Sequence, residues 1–581
     1  FPAWPFMGRP AGVLALGVTL AGLGAAAAML VAKRAAVPDP THLAVSFLPL
    51  LINLAWLFDS AVNPARGRFL FAAGLWLAAV LIIWTTVGDQ DRRWRWLGSL
   101  AVAVALLPIY LATMSHAVGA ADTFEFQVVA PQLGIAHPTG YPLYLLLGKA
   151  FSLLPLGTQA WRLNLASAVY AVAAAMVVFR LGLEIFRRPL PALAGAVALG
   201  LVPIYWGQAI VAEVYTLHAL VVAVALWLMT RLIGEAAPAG QGPMTPQDRK
   251  MMVGLAFVLG LGLTNHLTTV FLLPPAGLAL LFNLWPVIGR RRAAGERPTS
   301  RRRSLIPLFF QLLIAFAVPL VLFAYLPLRW QAVNNEPMGL GRFVEWVAGG
   351  RFQGALQWGA WLRDPARRAI VGRLLLDAWG WFYLAPAAVG LAWLFLRRRR
   401  TALVLAVAAA GFTFYALNYY VPDLTVFLIP THVVLAVWVG AGMMGVETGF
   451  SEKKPVSVWK TIIFVVALLP AVLGAGERWA GIDQSRRDGG ELWARLALTQ
   501  PLAQGAAILA DSEKIAPLYY LQQAEGLRPD LTIMVLPDEA AYRAELDARL
   551  AAGQAVYLAR YLPGLAGIYH LRSAGPLVEV S

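Results

Sequence analysis

Stretches of about 20 predominantly apolar residues recur along this chain, each long enough to cross the roughly 30 Å hydrocarbon core of a bilayer as a helix. Nothing else in the sequence constrains the fold as strongly, because a soluble fold would have to hide all of these stretches at once. Of 581 residues, 59% are hydrophobic and only 13% are charged, against about 25% charged in soluble domains. Hydropathy windows predict about fourteen spans, near 11–32, 43–62, 69–88, 97–115, 161–184, 189–206, 210–232, 251–266, 267–284, 305–326, 371–396, 401–420, 424–446 and 458–476. The pairs 189–206/210–232 and 251–266/267–284 have almost no linker, so tight or re-entrant turns are expected there. The first apolar segment can itself direct insertion, so the pattern requires no cleaved leader.

The net charge of +16 would point to nucleic acid in a soluble protein. Here the cations sit in short clusters between apolar segments, and the positive-inside rule accounts for them instead. Alternation puts Lys33/Arg34, Arg92/Arg93/Arg95, Arg187/Arg188, Arg249/Lys250, Arg290 to Arg303, Arg397 to Arg400 and Lys453/Lys454 on one side, taken as cytoplasmic. Only Arg66 and Arg68 break the pattern. A nucleic-acid partner is therefore not expected, and membrane lipids are. There are no cysteines, which excludes disulfides, thiol catalysis and cysteine-ligated metals.

The other side carries residues 116–160, the turns at 207–213, 265–268 and 418–423, the long loop 327–370, and a tail from about 477. The 116–160 segment is too apolar for a free linker and predicts short interfacial helices or a re-entrant segment. In the tail, 506–510, 531–536 and 555–559 read as buried strands and 514–525 and 538–551 as helices. The fold class is thus an α-helical polytopic membrane protein with a small extramembrane α/β C-terminal domain at 477–581.

Polar chemistry concentrates on that outer side. Asp122 and Glu125 follow a span directly, and a spacing of three puts them on one face of a helical turn. Two such carboxylates can divide base and orienting roles; the structural alternative is a capping acid beside a solvated glutamate. Next, Gly134-Ile-Ala-His137-Pro138-Thr-Gly140-Tyr141-Pro142-Leu-Tyr144 is stiffened by two prolines and a glycine and presents an imidazole and two phenols, with Lys149 following. Glu213 and Tyr215 lie at the outer end of a span, where an ionised group costs up to roughly 3 kcal/mol if it reaches hydrocarbon depth. Asn265 and His266 occupy the same level, with a plain polar turn as the alternative. Arg329 ends another span beside Trp330, suited either to binding phosphate or to snorkelling. Six of the seven histidines fall toward this side, as a shared aqueous cavity would explain. No H-x-x-x-H or similar spacing supports a metal site, although a divalent cation stays open as a cofactor. There is no Walker loop, nucleophile elbow or dinucleotide fingerprint, so energy must come from a gradient or from an activated substrate at the membrane.

The chain resembles a bacterial membrane family related to protein O-mannosyltransferases, within the GT-C superfamily of glycosyltransferases that use polyprenyl-phosphate sugars. Asp122-Thr-Phe-Glu125, the His137-Pro138 turn, Arg162-Leu-Asn164, Glu213-Val-Tyr215, Leu263-Thr-Asn265-His266, Tyr325-Leu-Pro327-Leu-Arg329 and Arg528-Pro-Asp530 after Tyr519-Tyr520 carry the resemblance over roughly residues 97–540. The family has Gly before the acid and Ser-Gly after it, where this chain has Ala121 and Thr123-Phe124. About three spans precede the family's usual start.

The resemblance implies a GT-C-like module at 91–476, preceded by extra helices at 1–90. It makes Asp122 the base on the acceptor and Glu125 its companion, with the His-Pro turn near acceptor or donor phosphate. It further implies an inverting transfer of a sugar, with mannose one candidate, from a polyprenyl-phosphate donor to a protein, lipid or glycan acceptor. That chemistry belongs on the extracytoplasmic face of a cell membrane, with the tail on the same side. His137, Tyr141, Tyr144, Lys149, Glu213, Tyr215, Asn265, His266 and Arg329 are then the candidate binding residues, Arg329 with Lys149 or His137 stabilising the departing phosphate. A non-catalytic scaffold or accessory subunit derived from the same fold is the alternative. A transporter would show paired broken helices in repeated halves, and no such symmetry is present.

Overall fold

The computed structural model describes residues 44–58, 63–234, 245–293, 298–450, 457–488 and 490–581, with part of 15–30. Among the described residues, ten helices are long and apolar enough to cross a bilayer, and one bent pair makes an eleventh. The protein is a multi-pass membrane protein. The expected span at 11–32 falls largely outside the described residues. Residues expected to span at 43–62 instead include a 3₁₀ helix, Leu48–Phe58, packed against the helix Pro64–Val87. At about 2 Å per residue those 11 residues reach only about 22 Å, short of a full crossing.

Backbone chemistry sets where helices break. The apolar run from residue 189 divides into Pro189–Gly200 and Pro203–Ala209, bent by 69°. Pro203 has no N–H to continue the first helix and disfavours helical geometry at Val202, which is extended. In lipid, helices associate through close packing rather than expulsion of water, and small residues allow it. The Pro365–Arg397 and Ile429–Phe450 helices show this: a methyl group at Gly390 would overlap the Trp438 carbonyl, and one at Gly442 the Pro386 carbonyl.

At the end of the bundle away from the 116–160 segment, Asp89 ties three elements. It accepts from Trp84 Nε1 at 2.6 Å and from Lys460 Nζ at 2.7 Å, and it pairs with Arg188. Burial opposes its charge, but these partners outweigh it and hold the Asp89 carboxyl below the usual range.

The 116–160 segment folds into two short helices, Ala121–Gln132 and Pro142–Ser152. The C-terminal domain is a five-stranded sheet of order β2-β1-β3-β5-β4, with β1 Ala507–Ala510, β2 Thr532–Val535, β3 Val556–Leu558, β4 Leu571–Ala574 and β5 Leu577–Val580. β1 pairs in parallel with β2 and β3, in register Ala507↔Thr532 and Ala507↔Val556. Helices Ile515–Glu525 and Glu539–Ala551 make the crossovers that parallel strands require. β4 and β5 form an antiparallel edge hairpin that sequence reading missed. The hairpin turns at Gly575, whose φ of +64° favours glycine, but Arg572 and Glu579 dilute its apolar signal.

Candidate functional site

The site is built around the Ala121–Gln132 helix. It starts with Ala120 extended and Ala121 at φ +50°, a conformation that costs an L-residue about 1–2 kcal/mol. That is the position where the resembled family places glycine. Asp122 then falls in the first turn, where the helix dipole favours a negative charge. Glu125 follows one turn later and reaches the His137 turn: the His137 backbone N–H donates to its Oε1 at 2.9 Å, and the imidazole Nδ1 bonds its Oε2. The other ring nitrogen, Nε2, lies 3.1 Å from the Tyr141 hydroxyl and 3.8 Å from Asp122 Oδ2.

The charges of this cluster are mutually adjusted. Burial disfavours the imidazolium, but the hydrogen bond and charge of Glu125, then the charge of Asp122, raise the His137 pKa above its ordinary value. Asp122 is half-exposed; burial by its surroundings raises its pKa, His137 pulls it down, and the charges of Glu125 and Asp423 add to the rise. Behind them, Glu213 is buried and takes a hydrogen bond from the Thr123 hydroxyl at 2.8 Å. Burial, followed by the charge of Asp122, pushes its carboxyl up to about 8, which favours the neutral form.

Aromatic rings close the floor. His266 stacks on His218 with centroids 4.8 Å apart, and Thr268 Oγ1 bridges them at 2.7 and 3.0 Å. Tyr141 and Tyr215 flank His266 at 6.5 and 5.7 Å. Tyr144 is buried against Phe126, and Asn265 is buried with its amide donating to the Val214 carbonyl at 3.3 Å. Asp122, Glu125, His137, Tyr141, Glu213, Tyr215 and His266 therefore converge, with Tyr144 and Asn265 as packing behind them.

Lys149 and Arg329 do not join them. Lys149 Nζ donates to the Pro131 carbonyl at 2.6 Å, and Arg329 donates to the carbonyls of Leu133 at 2.6 Å and Gln132 at 3.3 Å. Both cations cap the carboxyl end of the Ala121–Gln132 helix, where unpaired carbonyls and the dipole attract them. Eleven residues at 1.5 Å each put Leu133 about 16 Å along the axis from Asp122. Arg329, expected to stabilise the departing phosphate in the same site as Asp122, instead lies at the other end of this helix.

The cation beside the cluster is Arg351, which sequence reading did not single out. It is exposed, its charge acts on His137, and among the described residues it makes no hydrogen bond or ion pair. Its 3₁₀ turn, Gly350–Ala355, also sets Phe352 edge-on to the His137 ring at 6.0 Å. The preceding helix, Leu340–Val347, anchors it through Trp346, which donates to the Ala136 carbonyl at 3.2 Å. Tyr420 N–H donates to the Ala355 carbonyl and Gln357 N–H to that of Asn418, which stitches this loop to the 418–423 turn. The available signal was an outer-side cation in a Gly-Gly-Arg-Phe segment, the same reasoning that selected Arg329.

Asp122, Glu125 and His137 each offer a ligand atom, and these lie within 4.8 Å of one another. Two carboxylates and an imidazole suit a hard or borderline divalent cation.

A family model for the N-terminal domain of the protein O-mannosyl-transferase TMEM260 matches residues 122–288, beginning at Asp122 itself. The mouse protein O-mannosyl-transferase TMEM260 is 28% identical over 235 residues, covering 40% of this chain and 30% of that protein. The Dictyostelium discoideum relative of the same name is 28% identical over 207 residues, 33% of this chain and 25% of its own length. The fold aligns with ArnT from Cupriavidus metallidurans, crystallised with undecaprenyl phosphate, at a TM-score of 0.54 and 14% identity, covering 84% of this chain and 98% of that one. The chain thus carries a stretch similar to protein O-mannosyl-transferases and shares the fold of ArnT over most of its length. The chain spans less than a third of the length of either TMEM260 relative. The matched family model, residues 122–288, holds Asp122, Glu125, His137, Glu213 and His266, whereas Arg351 lies beyond it.

Proposed function

We propose that the chain is a glycosyltransferase that moves a sugar from a polyprenyl-phosphate carrier to an acceptor hydroxyl on the extracytoplasmic face. The observation that carries this reading is the convergence of a half-exposed Asp122, a Glu125-held His137 and an unpaired Arg351 at one end of a membrane bundle. The names of the two TMEM260 relatives and the undecaprenyl phosphate in the ArnT crystal favour the same chemistry. The arginine-rich loops, assigned inside by the positive-inside rule, support an outer position for the cluster.

In this mechanism the Asp122 carboxylate takes the acceptor proton as the hydroxyl oxygen bonds to the anomeric carbon. The bond from that carbon to the phosphate oxygen breaks, and its electron pair leaves with the polyprenyl phosphate. Attack and departure on opposite faces invert the anomeric configuration. Arg351 and the imidazolium of His137 offset the negative charge that develops on the phosphate. Arg351 thereby takes the role that sequence alone gave to Arg329. A divalent cation, if bound, would be held by Asp122, Glu125 and His137 and would supply further charge stabilisation.

The test uses the full chain in proteoliposomes with polyprenyl-phosphate mannose, the sugar named for both relatives. Wild type should consume the donor, and Asp122→Asn should lower turnover by about 10²-fold or more with its melting temperature unchanged. No donor consumption by wild type would point to a scaffold and end the reading, and equal turnover by the two would remove Asp122 as the base.

A further inference from the structure

The C-terminal domain does not reach the acid cluster among the described contacts; it reaches the back of the helix that carries it. Phe124, Val128 and Gln132 recur every four residues and so share one face of the Ala121–Gln132 helix. Phe124 meets the Tyr519 ring edge-on at 6.3 Å, Val128 joins a buried cluster with Leu518, Tyr520 and Leu521, and Gln132 donates to the Gln523 carbonyl at 3.1 Å. All of these partners lie on the Ile515–Glu525 helix.

Two further hydrogen bonds fix the segment on either side. Just ahead of the acids, the Val118 N–H donates to Glu491 Oε1 at 2.6 Å. Beyond the second short helix, the buried Ala160 N–H donates to the Tyr520 hydroxyl at 3.0 Å. The membrane bundle holds the other side through the Thr123–Glu213 bond, the burial of Phe126 and Ala130, and a chain in which Gly119 N–H donates to Gln127, Gln127 to Asn164, and Asn164 to the Ser115 carbonyl. A 12-residue helix is marginal on its own in water, so its placement depends on what it packs against.

We propose that the C-terminal domain is the back plate of the acid helix, and that Glu491 and Tyr520 are positioning residues acting on Asp122 through the backbone at 118 and 160. This rests on the glycosyl-transfer reading for its effect on turnover but not for its effect on the helix. Displacing a reacting group by about 1 Å costs on the order of 10²-fold in rate. Loss of one clamp is therefore expected in kcat and not in donor KM.

The experiment compares full-length wild type, Glu491→Ala, Glu491→Gln and Tyr520→Phe in proteoliposomes. It reads backbone hydrogen exchange in 116–132, turnover of polyprenyl-phosphate mannose, and melting temperature. Glu491→Ala should speed exchange in 116–132 and lower kcat about tenfold or more with KM and melting temperature unchanged. Glu491→Gln, whose amide oxygen can still accept from Val118, should restore both readouts, and Tyr520→Phe should repeat the alanine effect around residue 160. Unaltered exchange in 116–132 in Glu491→Ala overturns the back plate, as does faster exchange with wild-type kcat. If wild type itself shows no donor turnover, the glycosyl-transfer reading fails alone and the exchange data still decide this proposal.

Discussion

Arg329 donates to the Leu133 carbonyl at 2.6 Å, at the opposite end of the Ala121–Gln132 helix from Asp122. The contact makes Arg329 a helix cap, and Arg329 and Arg351 of the 327–370 loop therefore separate by role. Arg329→Ala should destabilise the protein by about 1.5–3 kcal/mol, because it removes charge-assisted bonds to the Leu133 and Gln132 carbonyls. Arg351→Ala should leave the melting temperature within error and raise donor KM, lower kcat, or both. Thermal melts and steady-state kinetics on the same two preparations check this. A stable Arg329→Ala protein with impaired donor use would reverse the assignment.

A second consequence concerns Ala121, held at φ +50°. Glycine adopts that conformation freely but loses more chain entropy on folding, so Ala121→Gly should be neutral to stabilising by about 1 kcal/mol. Ala121→Val, branched at Cβ, should destabilise and disturb the adjacent Asp122. Melting temperatures of the three proteins decide the point, and a clearly destabilised glycine variant would contradict the strain.

The Glu125–His137 contact makes a pH-dependent contribution whose sign follows from geometry. The folded-state pKa of His137 is raised over its unfolded value near 6.5, so the imidazolium stabilises the fold. That contribution is complete below the unfolded pKa and disappears as pH rises through the folded one. The stability gap between wild type and His137→Gln should thus be widest near pH 6 and narrow toward alkaline pH. Denaturation at a series of pH values measures it. A gap that widens with pH would mean that the ring is held neutral.

How much of this was legible in the sequence follows from what each feature depends on. Hydropathy and proline placement are local, so the membrane fold class and most helices could be read directly. Leu48–Phe58 was misread because an apolar run reports burial and not rise per residue. Asp122, Glu125 and the His137 turn stood out because their partners lie within about 20 residues. Lys149 and Arg329 were assigned to the phosphate because a cation near an acid motif looks the same whether it faces substrate or a helix end. Arg351 escaped notice because its approach to His137 depends on the Trp346–Ala136 contact, which is not visible from local sequence. The docking of Glu491 and Tyr520 behind the acid helix joins segments more than 350 residues apart, with no local signature at either end.

Asp89 lies far from the acid cluster, at the other end of the bundle. Its carboxylate lies between Lys460 and Arg188 and also accepts from Trp84, so it joins the Pro64–Val87 helix, the start of Pro189–Gly200 and the Ser457–Ile482 helix. Removing its charge leaves two cations facing one another in a poorly hydrated position, and breaking such a pair costs about 3–5 kcal/mol when it is buried. Asp89 is mostly but not fully shielded, so Asp89→Asn should fall at or below the lower end of that range. Because its folded pKa is depressed, its contribution is present above the unfolded value and lost as pH falls through the folded one. Wild type and Asp89→Asn should therefore converge in melting temperature toward strongly acid pH and differ most near neutrality. A variant as stable as wild type at pH 7 would show that the two cations are satisfied without Asp89.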